Sequence, residues 1–202
     1  LKTFKDAEYR MISHVEFEPN ALNLIFGHIF GIDGTNTDSL THAMITGRKL
    51  AHNYMEFAKK NIPGMKNAKI VETGSLPGIR ETRRIKGKYT LSAGDFRAAR
   101  HFKDDIGIYD YPIDVHDAKK SDKNATMAKL DEYFANPKKL AKMTNPSVLP
   151  KGKSYGIPFR IMLTNEISNL IVAGRPVSVD RMMFGSIRAT PACFAMGEAA
   201  GT

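Results

Sequence analysis

Three arginines, Arg80, Arg83 and Arg84, stand within five residues of RETRRIKGK, the segment Arg80–Lys88. A guanidinium fork binds a carboxylate through two parallel hydrogen bonds, keeps its proton at any working pH, and polarises what it holds. If the segment is extended, Arg80 and Arg84 share one face and Arg83 takes the other. Arg83 and Arg84 are therefore candidate catalytic cations; the bland alternative is a surface hairpin in which Glu81 pairs locally. His116 lies in YPIDVHD, flanked by Asp114 and Asp117. A histidine beside carboxylates can be held as a proton donor near neutral pH, or be an ordinary hydrogen-bonded residue. Cys193 follows Thr190-Pro191 at the start of a helix, where a thiolate is favoured, although a buried inert thiol is the commoner outcome.

The C-terminal segment carries a different chemistry. Leu170–Ala173 reads as a short apolar strand, and Gly174 follows it at once. A loop leads to Gly185-Ser186, and Thr190 and Pro191 read as a cap and a first-turn proline. The helix after them is rich in Ala and Gly. A strand, a glycine at its carboxyl end and a small-residue helix allow close backbone approach, and a helix N-terminus offers unpaired N–H groups to an anion. Tight packing of helix on sheet explains the same small residues equally well.

The elements that must position these groups read as a mixed α and β chain. Ala21–Ile32 is apolar on both faces of an extended segment, the pattern of a strand covered on both sides. DGTNTD, from Asp33, is dense in turn residues. From Ser39 to about Lys60, Leu40, Met44, Gly47, Ala51, Tyr54 and Ala58 recur at helical spacing, and Asn61-Ile62-Pro63-Gly64 stops the helix. Ala68–Gly74 and Tyr89–Leu91 are strand candidates, and Ser92–Arg100 is a short helix begun by a serine cap. Strand-formers recur over Ile106–Val115 and, broken by Pro158, over Ile157–Leu163. Asp117–Lys153 is a lysine-rich excursion with one helical stretch, about Thr126–Phe134.

The net charge of +9 is local: Arg80–Lys88 contributes +4 and Asp117–Lys153 contributes +5. Such basicity suits an anionic ligand, a polyanion or merely solvated lysines. Nucleic acid is disfavoured, because the lysine-rich region has few aromatics and no binding motif. One cysteine excludes an internal disulfide and a cysteine zinc site. The six histidines show no metal-ligand spacing, so no metal is expected. No apolar run reaches the roughly 20 residues that span a bilayer. The residues leave the location open: a single cysteine favours a cytoplasmic setting and is compatible with a disulfide-free secreted enzyme too. Neither G-x-S-x-G nor a phosphate-binding P-loop occurs, so hydrolase and nucleotide-triphosphate readings lack an anchor.

NLIVAGR, GSIR, P-x-C and MGEAAG follow one another from Asn169, and together they resemble the closing segment of the bacterial FAD-dependent oxidoreductase family. That family is distantly akin to fumarate-reductase-type and glutathione-reductase-type flavoproteins. DGTNTDSLTHAMITGRKLA, ETGSLPGIRETRRIKGKYTLSAGDF and YPIDVHD resemble segments of its substrate-side domain in the same order. The resemblance covers most of residues 31–116 and 155–202. It implies a substrate-side domain over 1–165 and, over 166–202, the closing strand, loop and helix of a Rossmann-like FAD-binding fold. The expected class is α+β.

The resemblance also assigns roles. Gly174 and Arg175 would meet the ribityl or pyrophosphate part of FAD. Gly185, Ser186 and Ile187 would line the pyrimidine edge of the flavin ring, with Ser186 a plain loop or cap residue otherwise. Arg188 would contact the cofactor or pair with a surface carboxylate. The reaction implied is hydride or electron transfer between FAD and a small polar or anionic organic substrate. One element departs from the pattern: no two glycines stand two residues apart, so the G-x-G-x-x-G fingerprint of the adenine and pyrophosphate site is absent. The expectation is then a portion of an enzyme whose N-terminal FAD-binding half lies elsewhere, inactive alone, prone to self-association, and not certain to retain FAD. A non-catalytic or polyanion-binding domain using 80–88 and 117–153 is the alternative.

Overall fold

The computed structural model describes residues 13–25, 27–115 and 147–202. The chain divides into two compact units, Leu1–Ile79 and Arg80–Thr202.

In the first unit β1 (Ser13–Glu18) and β2 (Ala21–Ile25) form an antiparallel hairpin. Asn20 turns the chain with φ 67°, a conformation asparagine tolerates better than most residues. The apolar run expected as one strand over 21–32 therefore ends at Ile25, and Leu22 is exposed rather than covered. Gly27 and Gly31 adopt φ 83° and 71°, which break the run. Helix α1 (Thr37–Asn61) matches the expected periodic stretch to within two residues at its start. Its cap is Asn36, whose side chain accepts from Ser39 N at 2.9 Å. Ile62 N–H closes the last turn on Ala58 O. Segment 27–32 lies along this helix: a Cβ on Gly27 would meet the Tyr54 ring at 3.0 Å, and one on Gly47 would meet Ile29 Cδ1 at 3.2 Å. No strand forms over 68–74.

The second unit holds a larger core. Helix α2 (Ala93–Arg97) starts at Ser92, which forms a capping box with Asp95. Strand β3 (Asp105–Tyr109) pairs antiparallel with β4 (Tyr155–Pro158), from Asp105↔Pro158 to Tyr109↔Tyr155. Pro158 then starts a 3-10 turn over Phe159–Met162. Residues 85–91, 161–164, 171–172 and 176–180 are stitched by isolated bridges of both senses: Gly87↔Thr164 and Leu163↔Ile171 antiparallel, Leu91↔Val179 parallel. The expected strands over 89–91 and 170–173 are thus single bridges in an irregular mixed network. Gly87 permits the closest crossing, since a Cβ there would lie 2.6 Å from Ser178 Cβ.

Helix α3 (Arg181–Ile187) is capped by Asp180, which accepts from Met183 N at 2.7 Å. Helix α4 (Thr190–Gly201) packs against β3 through its buried Ala192 and Met196. Its cap position is Ala189 rather than Thr190, and no side chain caps it. Leu91, Phe96, Tyr155, Ile157, Ile161, Met162, Met183, Ile187 and Met196 are fully enclosed. Of the segment 117–153 expected to be an excursion, Leu149 is buried in this core and Ser147 O accepts from Ile113 N, while the helical stretch expected at about Thr126–Phe134 lies outside the described residues. The chain is α+β.

Candidate functional site

The basic segment is held as an extended strap by Ile85 N on Pro176 O and Lys88 N on Leu163 O, each at 2.8 Å. Thr82 lies in a bend, so the three arginines ahead of this tie do not follow strict strand alternation. Arg84 is half-buried, pairs with Glu81, and lies over the Phe184 ring at 5.4 Å. Arg83 is exposed. Arg80, also exposed, sits close enough to Arg188 for its charge to act there. The local Glu81 pairing foreseen as the bland alternative is present, without the hairpin.

Arg188 follows α3 directly. Its guanidinium donates to Asp114 O at 2.8 Å and to an Asp114 carboxylate oxygen at 3.0 Å. Burial holds the Arg188 pKa below its ordinary value, the Arg80 charge adds to that, and Asp114 opposes it. A cation that keeps one carboxylate partner and has a second arginine nearby is poised to meet a further anion. Of the sequence candidates Arg84 and Arg188 thus flank α3, one over Phe184 and one on Asp114. His116 lies outside the described residues.

Gly185, Ser186 and Ile187 are in α3, not in a loop, and all three are buried. They fall past the first helical turn, where N–H groups bond within the helix. Ser186 Oγ donates to Tyr111 O at 2.5 Å. Its one proton is thereby used, so the Tyr155 hydroxyl, 2.8 Å away, is the donor to Ser186. Burial pushes the Tyr155 phenol well above its ordinary pKa. The relay Tyr155–Ser186–Tyr111 O and the pair Arg188–Asp114 therefore fix segment 111–114, which follows β3 without strand structure although a strand was expected to reach Val115, against α3.

Gly185 makes that contact possible. A Cβ there would lie 2.8 Å from Val115 Cγ2 and 3.0 Å from two Asp114 backbone atoms. Glycine to alanine inside a helix ordinarily gains up to about 1 kcal/mol. Here Gly185→Ala is expected to cost about 2 kcal/mol through overpacking, read as a lower urea midpoint with an unchanged slope. A stabilised variant would refute the contact.

Gly174 and Arg175 form the more open part. Gly174 has φ 79°, and a Cβ on it would meet nothing within 4 Å. Arg175 is exposed, and its charge reaches the Cys193 thiol in the first turns of α4. Burial nevertheless raises the Cys193 pKa, so the thiol form prevails. The Tyr109 hydroxyl takes the Ala192 N–H, which leaves Thr190 at the uncapped end of α4. Pro191 has no N–H, so the Thr190 N–H is the first-turn donor that α4 keeps; with it, a glycine open on its Cβ side and an exposed arginine are groups that suit an anionic or polar-edged cofactor.

Sequence reasoning missed Asp114, Tyr111 and Tyr155 as site members. Arg80 had a signal in its shared face with Arg84. Asp114 stands out locally only as a neighbour of His116, and the partners that Asp114, Tyr111 and Tyr155 meet lie at long sequence separations that no local pattern marks. Among the described residues, no group of three or more His, Cys, Asp or Glu side chains is placed to hold a metal ion. No helix among them is long and apolar enough to cross a membrane.

No curated protein and no solved structure matches the chain. The family model for FAD dependent oxidoreductases matches residues 2–202. That match takes in the strap, α3 and α4 together, and FAD is the cofactor it implies. The chain belongs to the FAD dependent oxidoreductase family.

Proposed function

We propose that this chain forms the substrate-side and flavin-closing part of an FAD-dependent oxidoreductase acting on a small anionic organic substrate. The observation that carries the reading is the placing of Gly174, Arg175 and the uncapped start of α4 near one another, within a chain of this family. When bound, FAD supplies the two-electron acceptor for a hydride. Gly174 lets the backbone approach the ribityl and pyrophosphate portion, and Arg175 offsets its negative charge. Residues 166–202 belong, in this reading, to a Rossmann-like fold, while 1–165 are substrate-side. The missing glycine fingerprint puts the adenine half of the site outside these residues.

On the substrate side, Arg188 holds a carboxylate with Arg80 beside it, and Arg84 bounds the site over Phe184. Asp114 orients Arg188. Gly185, Ser186 and Ile187 support the flavin edge by fixing α3 against segment 111–114. His116 remains the candidate proton donor, two residues beyond Asp114.

Adding FAD to the protein is expected to give saturable quenching of flavin fluorescence and a yellow complex that dithionite bleaches. Gly174→Val combined with Arg175→Ala should weaken that binding by about tenfold, the loss expected from one charge-assisted contact. Arg188→Ala should leave flavin binding intact and raise KM for an anionic substrate by about tenfold or more. Failure of FAD to bind at any concentration sinks the proposal. Full binding by the Gly174/Arg175 variant removes those residues from the site.

A further inference from the structure

Outside the flavin and substrate region, a cleft of about 430 Å³ opens between the end of α2 and the turn that precedes β4. Arg97, Ala98, Ala99 and His101 line one wall, and Pro150, Gly152, Lys153 and Ser154 line the other. No acidic side chain lines it. Among the described residues, neither Arg97 nor Lys153 has a carboxylate partner, while His101 is tied to Asp105 at 3.2 Å. Like charges gathered in a concave site raise its potential and draw in an anion. The lining pairs an arginine fork with the point charge of a lysine and the hydroxyl donor of Ser154. Those are complementary to a phosphate, which offers several oxygens and about two charges at neutral pH. The volume falls in the range of small-molecule sites.

The backbone is set to keep these walls. Ala99, just past the end of α2, is held at φ 46°, the left-handed conformation that glycine adopts without cost. Gly152 takes φ 78° in the opposite wall. Ala99 N bonds to Phe96 O at 2.9 Å and Arg100 N to Asp95 O at 3.0 Å, so the wall is anchored in the core.

We propose that this cleft binds the phosphate group of a small phosphorylated molecule through Arg97, Lys153 and Ser154, independently of the flavin site. Amide NMR titration of the full chain with inorganic phosphate, at fixed ionic strength and with FAD held constant, tests it. Saturable shifts are expected at Ala98, Ala99, Gly152 and Ser154, with none at Lys59 and Lys60 of α1. The exposed double variant Arg97→Gln, Lys153→Gln should fold normally and weaken binding by about tenfold or more. A second titration, with glycerol 3-phosphate, separates the sources: tighter binding than phosphate identifies a phosphomonoester, equal or weaker binding identifies free phosphate. Non-saturating shifts, shifts spread evenly over the lysines, or unchanged binding by the double variant overturn the proposal.

Discussion

Truncating Tyr155 to alanine is expected to cost about 4 kcal/mol, a large part of the stability of a domain this size. The side chain is fully enclosed. Its ring packs against Phe96 at 5.5 Å and Tyr109 at 6.2 Å between centroids, and its hydroxyl donates to Ser186. Alanine removes the ring, opens a cavity that β4 and α3 cannot fill, and leaves Ser186 without its donor. Tyr155→Phe separates these contributions: it keeps the ring and is expected to cost about 1–2 kcal/mol for the lost hydrogen bond. Urea unfolding of the three proteins checks the order. Burial also sets a pH dependence, because it raises the phenol pKa in the folded state. The unfolded chain gives up that proton near pH 10, its ordinary value, while the folded chain retains it. Stability from this group is full below pH 10 and lost above it. Tyr155→Phe should flatten that alkaline loss, and an unchanged alkaline limb would place the titrating group elsewhere.

Helix α1 was legible because its signals are local. Apolar positions at three- and four-residue spacing define the inner face, and Asn36 and Ile62 close its ends within a few residues. The run over 21–32 misleads for the opposite reason. An apolar run says that a segment is covered, not by what, and here Gly27 and Ile29 lie against α1 instead of in a sheet, while Gly31 is exposed. Two glycines in the left-handed region follow the strand, and the first of them, Gly27, lies against Tyr54 and Leu50 of α1. The same limit applies to 170–173, whose apolar residues support one bridge, Leu163↔Ile171. In the candidate site, the clustering of Arg80, Arg83 and Arg84 is readable, but the bend at Thr82 that parts them is not. The partners that give Arg188 and Ser186 their chemistry are not. Asp114 is 74 residues from Arg188, and Tyr155 is 31 from Ser186. Only the fold closes those distances. Gly185 shows the point in one residue: its sequence context resembles a cofactor loop, and its packing against Asp114 shows a helix that needs room.

Asp95 is the second position where one substitution should be costly, and it is coupled to both the cleft and the core. Its side chain is almost fully enclosed. One carboxylate oxygen accepts from Ser92 N at 2.9 Å, Ser92 Oγ at 2.8 Å and Tyr89 OH at 2.9 Å, and the other pairs with Arg100 at 2.8 Å. Asp95→Ala removes the carboxylate half of the α2 capping box, keeps the Ser92 cap on the backbone N–H of residue 95, and strands the part-buried Tyr89 and Ser92 donors. Three donors left unpaired cost about 1 kcal/mol each. Arg100 is more than half exposed, so solvent screens its share to a few tenths of a kcal/mol. The expected total is about 3 kcal/mol. Asp95→Asn should recover part of it, since the amide retains one acceptor oxygen. The acid limb gives an independent check. Burial alone would raise the Asp95 pKa, but the Ser92 and Tyr89 hydrogen bonds and the Arg100 charge outweigh it, so the folded value is depressed. A depressed carboxylate stabilises the fold above its ordinary pKa of 3.8, and that contribution is lost as pH falls from there through the folded value. Wild type should therefore lose stability below about pH 4 more steeply than Asp95→Asn. Parallel acid limbs would mean that the carboxylate gains nothing from its four partners.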